Sequence, residues 1–319
     1  QILIKFFPPE MEPTGFMIKS LAKYLSQKNE VDSIDVICGF PNFPSGKFID
    51  RKWYQIFRVS SFKKFKLINV LVFPSDNKNN FKRIINYLSY MISSFFFALF
   101  NTKKDIYIAS SPPIFVAISC LAIAKLKRGK FILDVRDIWP ESAIQMGSLN
   151  NKFVIKILEY IEIILYKNAD EIIVATPGMS KIIENKLNSN NLKISYIPCG
   201  IDIPKLEDIS LKNSANIINK KKFSVLYAGL HGHAQNLSVI CETAIKLKEK
   251  SNIHFYLIGD GPDKLNLTQN PKYSNLKNLS FYDPVSRDEI RSIFQEVSCA
   301  LVPLKDLKIF KNVFPSKTF

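Results

Sequence analysis

Along this chain, short apolar runs alternate with longer stretches whose apolar residues fall three or four apart, and Pro, Gly, Ser or Asn lies between them. The runs predict strands over residues 2–7, 34–38, 105–109, 131–135, 171–175 and 194–197. Shorter candidates lie at 55–59 and 70–73. The helical periods predict helices over residues 16–27, 81–100, 114–127, 153–167 and 179–187. Strand–helix alternation of this kind specifies a doubly wound α/β domain. Between Pro198 and Lys222 the pattern breaks into a polar run with Gly200 and Pro204, which reads as a linker. It then restarts with strands at 223–228, 254–258, 279–282 and 299–302 and helices at 237–250 and 287–296. The expected organisation is a first domain over 1–198, a linker over 199–222 and a second α/β domain over 223–319. That second domain is expected to be incomplete at Phe319.

The most polar strand end follows residues 131–133. Asp134, Arg136, Asp137, Trp139 and Glu141 come within eight residues of one another. In an open parallel sheet, ligands sit beyond the carboxyl ends of the strands. A solvated turn explains one acid there, but two Asp, an Arg, a Trp and a Glu together point to a site. Gly15, after the first strand and before a helix, permits close approach of an anion to backbone N–H groups, although a plain turn fits equally well. In the second domain Gly229 and Gly232 flank His231 after a strand, and Gly259 and Gly261 follow another. Such glycines admit a phosphate or serve tight turns. Neither loop fits a dinucleotide fingerprint or a P-loop.

Composition narrows the classes. Hydrophobic content of 47% with 23% charged residues describes a globular protein. Five scattered cysteines without a CxxC pair, and three histidines without HExxH, indicate a reducing compartment and no metal site. The formal charge of +16 favours an anionic partner, although a Lys-rich composition spreads charge without one. The stretch between Ser60 and Lys104 is basic and contains an apolar helix. A core helix, an interfacial helix on anionic lipid and a membrane span all remain open for it. Lys317, after Pro315 and Ser316, is the type of residue that holds a diphosphate as a point charge, and equally a common exposed lysine.

The segments FFPPE from Phe6 to Glu10, SSPP from Ser110 to Pro113, LDVRDIWPES from Leu133 to Ser142, YAG from Tyr227 to Gly229, IGDGP from Ile258 to Pro262 and FPSKTF from Phe314 resemble glycosyltransferase family 4. The resemblance is strongest to the branch that builds bacterial O-antigen, capsule and colanic acid, and it runs the length of the chain. It implies a GT-B fold: two doubly wound Rossmann-like domains facing across a cleft, the second incomplete here. It implies a UDP-sugar donor, retention of anomeric configuration, and no cofactor or essential metal. Donor contacts would come from Gly15, Gly229, His231, Gly259, Gly261, Val285, Ser316 and Lys317. The acceptor side would hold Glu10, Arg136, Trp139 and Glu141, with Asp137, or else Asp134, as the catalytic carboxylate. Two features of the family's pattern are not visible: an Arg and a Lys after the first strand of the second domain, and a pair of glutamates separated by seven residues, the second of which is expected immediately after Phe319. Asn312 stands where the first glutamate is expected.

The resulting expectation is an enzyme that moves an N-acetylated amino sugar or related hexose to a lipid-linked acceptor. It would work in surface-polysaccharide biosynthesis, peripheral on the cytoplasmic face of the membrane, with anionic lipid as a partner and no nucleic acid. The 319-residue chain by itself is expected to be inactive. Two rivals are a nucleotide-sugar epimerase of GT-B shape, which would act without an acceptor, and a nucleic-acid-binding protein. The second requires aromatic platforms between the basic residues, whereas the aromatics here fall in apolar runs.

Overall fold

In the computed structural model, the described residues are all except Met11, Pro44, Lys63, residues 76–79, 190–191 and 201–216, and Phe319. The chain divides into two units. The first is Gln1–Ile201 with Asn312–Ser316, and the second is Asp202–Lys311 with Lys317–Phe319.

In the first unit, eight strands form one sheet: β1 (Ile2–Leu3), β2 (Ile34–Gly39), β3 (Phe57–Phe62), β4 (Phe65–Val70), β5 (Ile106–Ser111), β6 (Lys130–Val135), β7 (Glu171–Val174) and β8 (Ile194–Tyr196). Their order is β3-β4-β2-β1-β5-β6-β7-β8, and every pairing is parallel except the β3–β4 hairpin. The helices are α1 (Pro13–Leu25), α2 (Asn80–Phe100), α3 (Ile114–Lys127), α4 (Glu141–Gln145), α5 (Lys152–Asn168) and α6 (Pro177–Leu187). Strand β2 is buried along its whole length, as expected for a parallel strand covered on both faces. On one side, Ile18 and Ala22 of α1 pack with Ile2, Ile34 and Val36.

Helix α2 turns Asn86, Tyr90, Ser94 and Ala98 into the domain. Tyr90 donates to the Ile37 carbonyl at 2.8 Å, and Ser93 donates to the Leu71 carbonyl at 2.6 Å. These bonds make α2 a helix of this domain. By length and composition alone, its Phe81–Phe100 stretch would also suit a membrane span.

The second unit carries β9 (Phe223–Ala228), β10 (Ile253–Ile258), β11 (Leu279–Tyr282) and β12 (Cys299–Ala300), all parallel, in the order β11-β10-β9-β12. Its helices are α7 (Ser238–Lys246), α8 (Lys264–Thr268), α9 (Pro271–Ser274) and α10 (Arg287–Glu296). The period-two alternation of strands decides its core. Val225, Tyr227, Phe255 and Leu257 pack on one face with Ile240 and Cys241 of α7. Leu226, Tyr256 and Ile258 pack on the other with Ile293 of α10. A capping box between Ser286 and Glu289 starts α10.

Several boundaries differ from expectation. The strands placed at 55–59 and 70–73 are instead the hairpin β3–β4. Strand β3 is a sheet edge largely open to solvent, so its apolar residues show no buried period to read. Strand β1 stops at Leu3 instead of residue 7, although Ile4 N–H still bonds the Ile37 carbonyl at 3.0 Å. The helix expected to reach residue 250 ends at Lys246, and α4, α8 and α9 are too short for a period to announce them. Of the proposed linker, residues 201–216 lie outside the described residues. Ile218, however, is buried in the core of the second unit, and Asn219 N–H donates to Tyr256 Oη at 3.0 Å. Asn312–Ser316 belongs to the first unit rather than the second.

Candidate functional site

In each unit the candidate residues follow the carboxyl ends of parallel strands. In the first unit they begin at β6. Asp134 is 2% exposed. It accepts from Ser110 Oγ and forms a two-point pair with Arg136, Nε to Oδ2 at 2.9 Å and Nη2 to Oδ1 at 2.7 Å. A fork of this kind fixes the guanidinium. Asp137 is different. Ser142 Oγ donates to its Oδ2 at 2.6 Å, and it has no ion-pair partner among the described residues. Burial raises its pKa above the ordinary carboxylate value, partly offset by the Ser142 bond. Trp139 is half-buried. Glu141 opens α4, and its Oε1 accepts from Gln145 at 2.7 Å.

Glu10, after β1, is 1% exposed. Its Oε1 accepts the backbone N–H groups of Asn42 and Phe43, both at 2.9 Å, and its Oε2 accepts Phe7 N–H at 3.4 Å. Asn42 in turn accepts Ser75 N–H at 3.1 Å. The carboxylate therefore ties together the loops that follow β1, β2 and β4. Burial raises its pKa. The counter-charge is Lys5, which sequence reading missed because it lies next to an apolar strand. Lys5 is itself buried, with Nζ 4.7 Å from the Phe6 ring centroid and its pKa lowered by burial to about 8.

Gly15 is required by packing: a Cβ there would lie 2.8 Å from the Phe6 carbonyl oxygen. Its N–H donates to Glu12 Oε2 at 3.0 Å, so the first turn of α1 is capped by the chain's own carboxylate. Glu12 before Pro13 is the sequence signal for that cap.

In the second unit, Tyr227, Gly229, His231, Gly259, Gly261 and Lys317 come together. Lys317, in a 3₁₀ turn over Ser316–Thr318, donates to Tyr227 Oη at 2.7 Å and sits 4.3 Å from that ring's centroid. Burial lowers its pKa to about 8. Nζ lies 2.7 Å from where a Gly229 Cβ would stand. Gly229, Gly259 and Gly261 all have positive φ, near +138°, +147° and +157°. A Cβ on Gly259 would overlap the Gly229 carbonyl, and one on Gly261 would overlap the His231 carbonyl. The two loops thus interlock backbone to backbone, sealed by His231 N–H to the Asp260 carbonyl at 2.8 Å and Asp263 N–H to the His231 carbonyl at 2.9 Å.

The His231 ring is fully enclosed, and burial with the nearby Lys264 cation holds its pKa down to about 4. It is a neutral packing group, and only its backbone shapes the exposed side. Val285 is packed against the core of the second unit. The side chain of Ser316 lies outside the described residues. Asn312 sits on the first unit, where its carbonyl accepts from Thr176 Oγ1 at 2.5 Å. Lys264, not singled out from the sequence, pairs with Asp283 at 2.6 Å.

No protein-family profile matches this chain, and no curated protein matches it. Its fold is GT-B, the architecture of a large class of glycosyltransferases. Sucrose-phosphate synthase from Thermosynechococcus elongatus is similar over 95% of this chain and 74% of its own, at 11% identity and a TM-score of 0.67. WaaG, a glycosyltransferase involved in lipopolysaccharide biosynthesis, is similar over 95% and 74%, at 13% identity and a TM-score of 0.61. HepE from Anabaena, in complex with UDP and glucose, is similar over 94% and 72%, at 10% identity and a TM-score of 0.55.

Proposed function

We propose that the chain is a glycosyltransferase that moves an N-acetylated amino sugar or related hexose from a UDP-sugar to a lipid-linked acceptor. It would work in surface-polysaccharide biosynthesis at the cytoplasmic face of the membrane, with retention of configuration and no essential metal. The observation that carries this reading is the Lys317 ammonium held against Gly229 and Tyr227 beyond the end of β9, in a GT-B fold. As the bond from the sugar's anomeric carbon to the diphosphate breaks, negative charge grows on the leaving oxygens. A partly desolvated cation beside open backbone stabilises that charge more than it stabilises the bound donor.

The binding of UDP and glucose by HepE supports the choice of donor. The first unit would hold the acceptor. Asp137, lacking an ion-pair partner among the described residues, would orient its hydroxyl or face the cationic sugar. Asp134, already committed to Arg136, would position that guanidinium. Gly15 is assigned to helix packing rather than to direct phosphate contact, because Glu12 occupies its N–H. A lipid-linked acceptor and an anionic membrane surface are supported by the exposed Phe81, Ile84, Ile92, Phe96 and Phe100 of α2, which lie in the same stretch as Lys64, Lys66, Lys82 and Arg83.

The test is calorimetry with UDP and candidate UDP-sugars, followed by nucleotide release with and without lipid-linked acceptor. Both are run on this chain. Donor binding with acceptor-dependent release supports the reading. Absence of binding, or release that ignores the acceptor, refutes it.

A further inference from the structure

Helices α2 and α3 enclose an open apolar groove of about 210 Å³, lined by Met91, Ile92, Phe95 and Phe96 on one side and Ile118, Ser119 and Ala122 on the other. Its floor is closed by Ser94 Oγ against Ser119 Oγ at 3.2 Å, both buried, so the groove is shallow and does not lead into the core. Its rim stands in solvent: Ile92 and Phe96 are each 52% exposed. Neither helix contains a single Asp or Glu, whereas α2 carries Lys82 and Arg83 in its first turns and α3 carries Lys125 and Lys127 in its last.

The groove also has a direction. Helix α3 starts directly after β5, at the carboxyl end of the sheet, and its first turn meets α2 where the Phe115 and Tyr87 rings lie 6.3 Å apart. Asp137 follows the end of β6, the strand paired with β5. Lys82 and Arg83 lie about one helical turn before Tyr87 on α2, at this same end.

We infer that this groove seats the hydrocarbon tail of a phosphate-linked isoprenoid or acyl acceptor. The tail would lie along α2 and α3, and its phosphate would reach the cationic first turns of α2 near the Asp137 end of the sheet. Apolar contact holds the chain, the cations match the phosphate, and the absence of carboxylates on both helices avoids repulsion. A short, open slot between two helices suits part of a flexible chain better than a folded partner. The inference rests on the proposed lipid-linked acceptor, and its test needs no turnover.

The probe is a fluorescent farnesyl phosphate below its aggregation concentration, titrated into the whole protein. Inorganic phosphate, phosphatidylglycerol vesicles and sedimentation velocity serve as separate arms. Saturable binding that inorganic phosphate does not displace is expected. Ala122→Trp, which fills the slot while keeping it apolar, and the pair Ile92→Gln with Phe96→Gln should each weaken binding by about tenfold or more. Circular dichroism checks the fold, and the exposure of Ile92 and Phe96 makes the second variant safe for it. Equal farnesyl phosphate binding in all variants overturns the inference. So does loss of vesicle binding alone, which assigns the face to a bilayer, or loss of a dimer alone, which assigns it to a second copy. UDP calorimetry separates the two claims: tail binding without UDP binding removes the transferase reading and leaves the groove, and the reverse does the opposite.

Discussion

Replacing Lys317 by Met removes a cation that the second unit holds at a cost. Its Nζ contacts the Tyr227 hydroxyl and ring face, and it has no carboxylate in ion-pair range among the described residues. Burial brings its pKa from 10.5 to about 8. At about 1.36 kcal/mol per unit, that depression corresponds to roughly 3 kcal/mol. Residual solvent contact reduces the working figure to about 1–2 kcal/mol. The folded pKa lies below the unfolded one, so between about pH 8 and pH 10.5 the unfolded chain binds more protons at this group and the Lys317 contribution to stability rises with pH.

Lys317→Met should therefore stabilise the second unit by about 1–2 kcal/mol near neutral pH, and this advantage should fade as pH approaches about 10.5. The assay is pulse proteolysis across a urea series, with peptides from β9 and β10 followed by mass spectrometry at neutral and alkaline pH. The same variant should lose UDP affinity. In the wild type, UDP binding near pH 8 should take up a fraction of a proton, read by calorimetry in two buffers of different ionisation enthalpy, because a diphosphate restores the ammonium. Unchanged stability together with proton-neutral UDP binding would refute the placement of Lys317 as a desolvated, anion-ready cation.

Three further outcomes are expected. Asp137→Asn should cut sugar transfer by at least ~100-fold, the scale of losing a positioned catalytic group, with circular dichroism unchanged; near-normal turnover removes Asp137 from the chemistry. Gly259→Ala should destabilise the second unit by about 2–4 kcal/mol, since it forces a side chain into positive φ and against the Gly229 carbonyl; a melting temperature within a degree or so of wild type would contradict the interlocked loops. Changing Lys64, Lys66, Lys82 and Arg83 to Gln should weaken binding to phosphatidylglycerol vesicles by on the order of 1 kcal/mol per charge, and unchanged binding would dismiss the membrane surface. Lys63, which belongs to the same basic run, lies outside the described residues.

Buried parallel strands were legible because they read as predominantly apolar runs, interrupted by single polar residues such as Asp35, Ser224 and His254: β2, β6, β9 and β10 stand within a residue or two of where the pattern put them. Strand β3 was displaced because an exposed edge places no apolar period on the chain. In the site, the charges after β6 could be found as a cluster, but their division of labour could not. Sequence shows Asp134 and Asp137 three residues apart, and only the fold turns one into Arg136 and leaves the other with a serine. The role of Glu10 was illegible because the amides of Asn42 and Phe43 that bind it lie more than thirty residues away. The role of Gly15 was half legible: a glycine was needed, but the helix presses on Phe6.

The interlocked loops after β9 and β10 have a consequence for how such a protein drifts. What locks them together is mostly peptide: the glycines at 229, 259 and 261, the carbonyls of Gly229 and His231, and the amides around them. Almost any residue supplies a carbonyl or an amide, so a joint of this kind is set by conformation and spelled by only a few letters. Two chains can differ at nearly every other position and still close the same backbone joint. This chain and the structures it resembles agree at only 10–13% of positions, while the backbone follows the same course over 94–95% of its length.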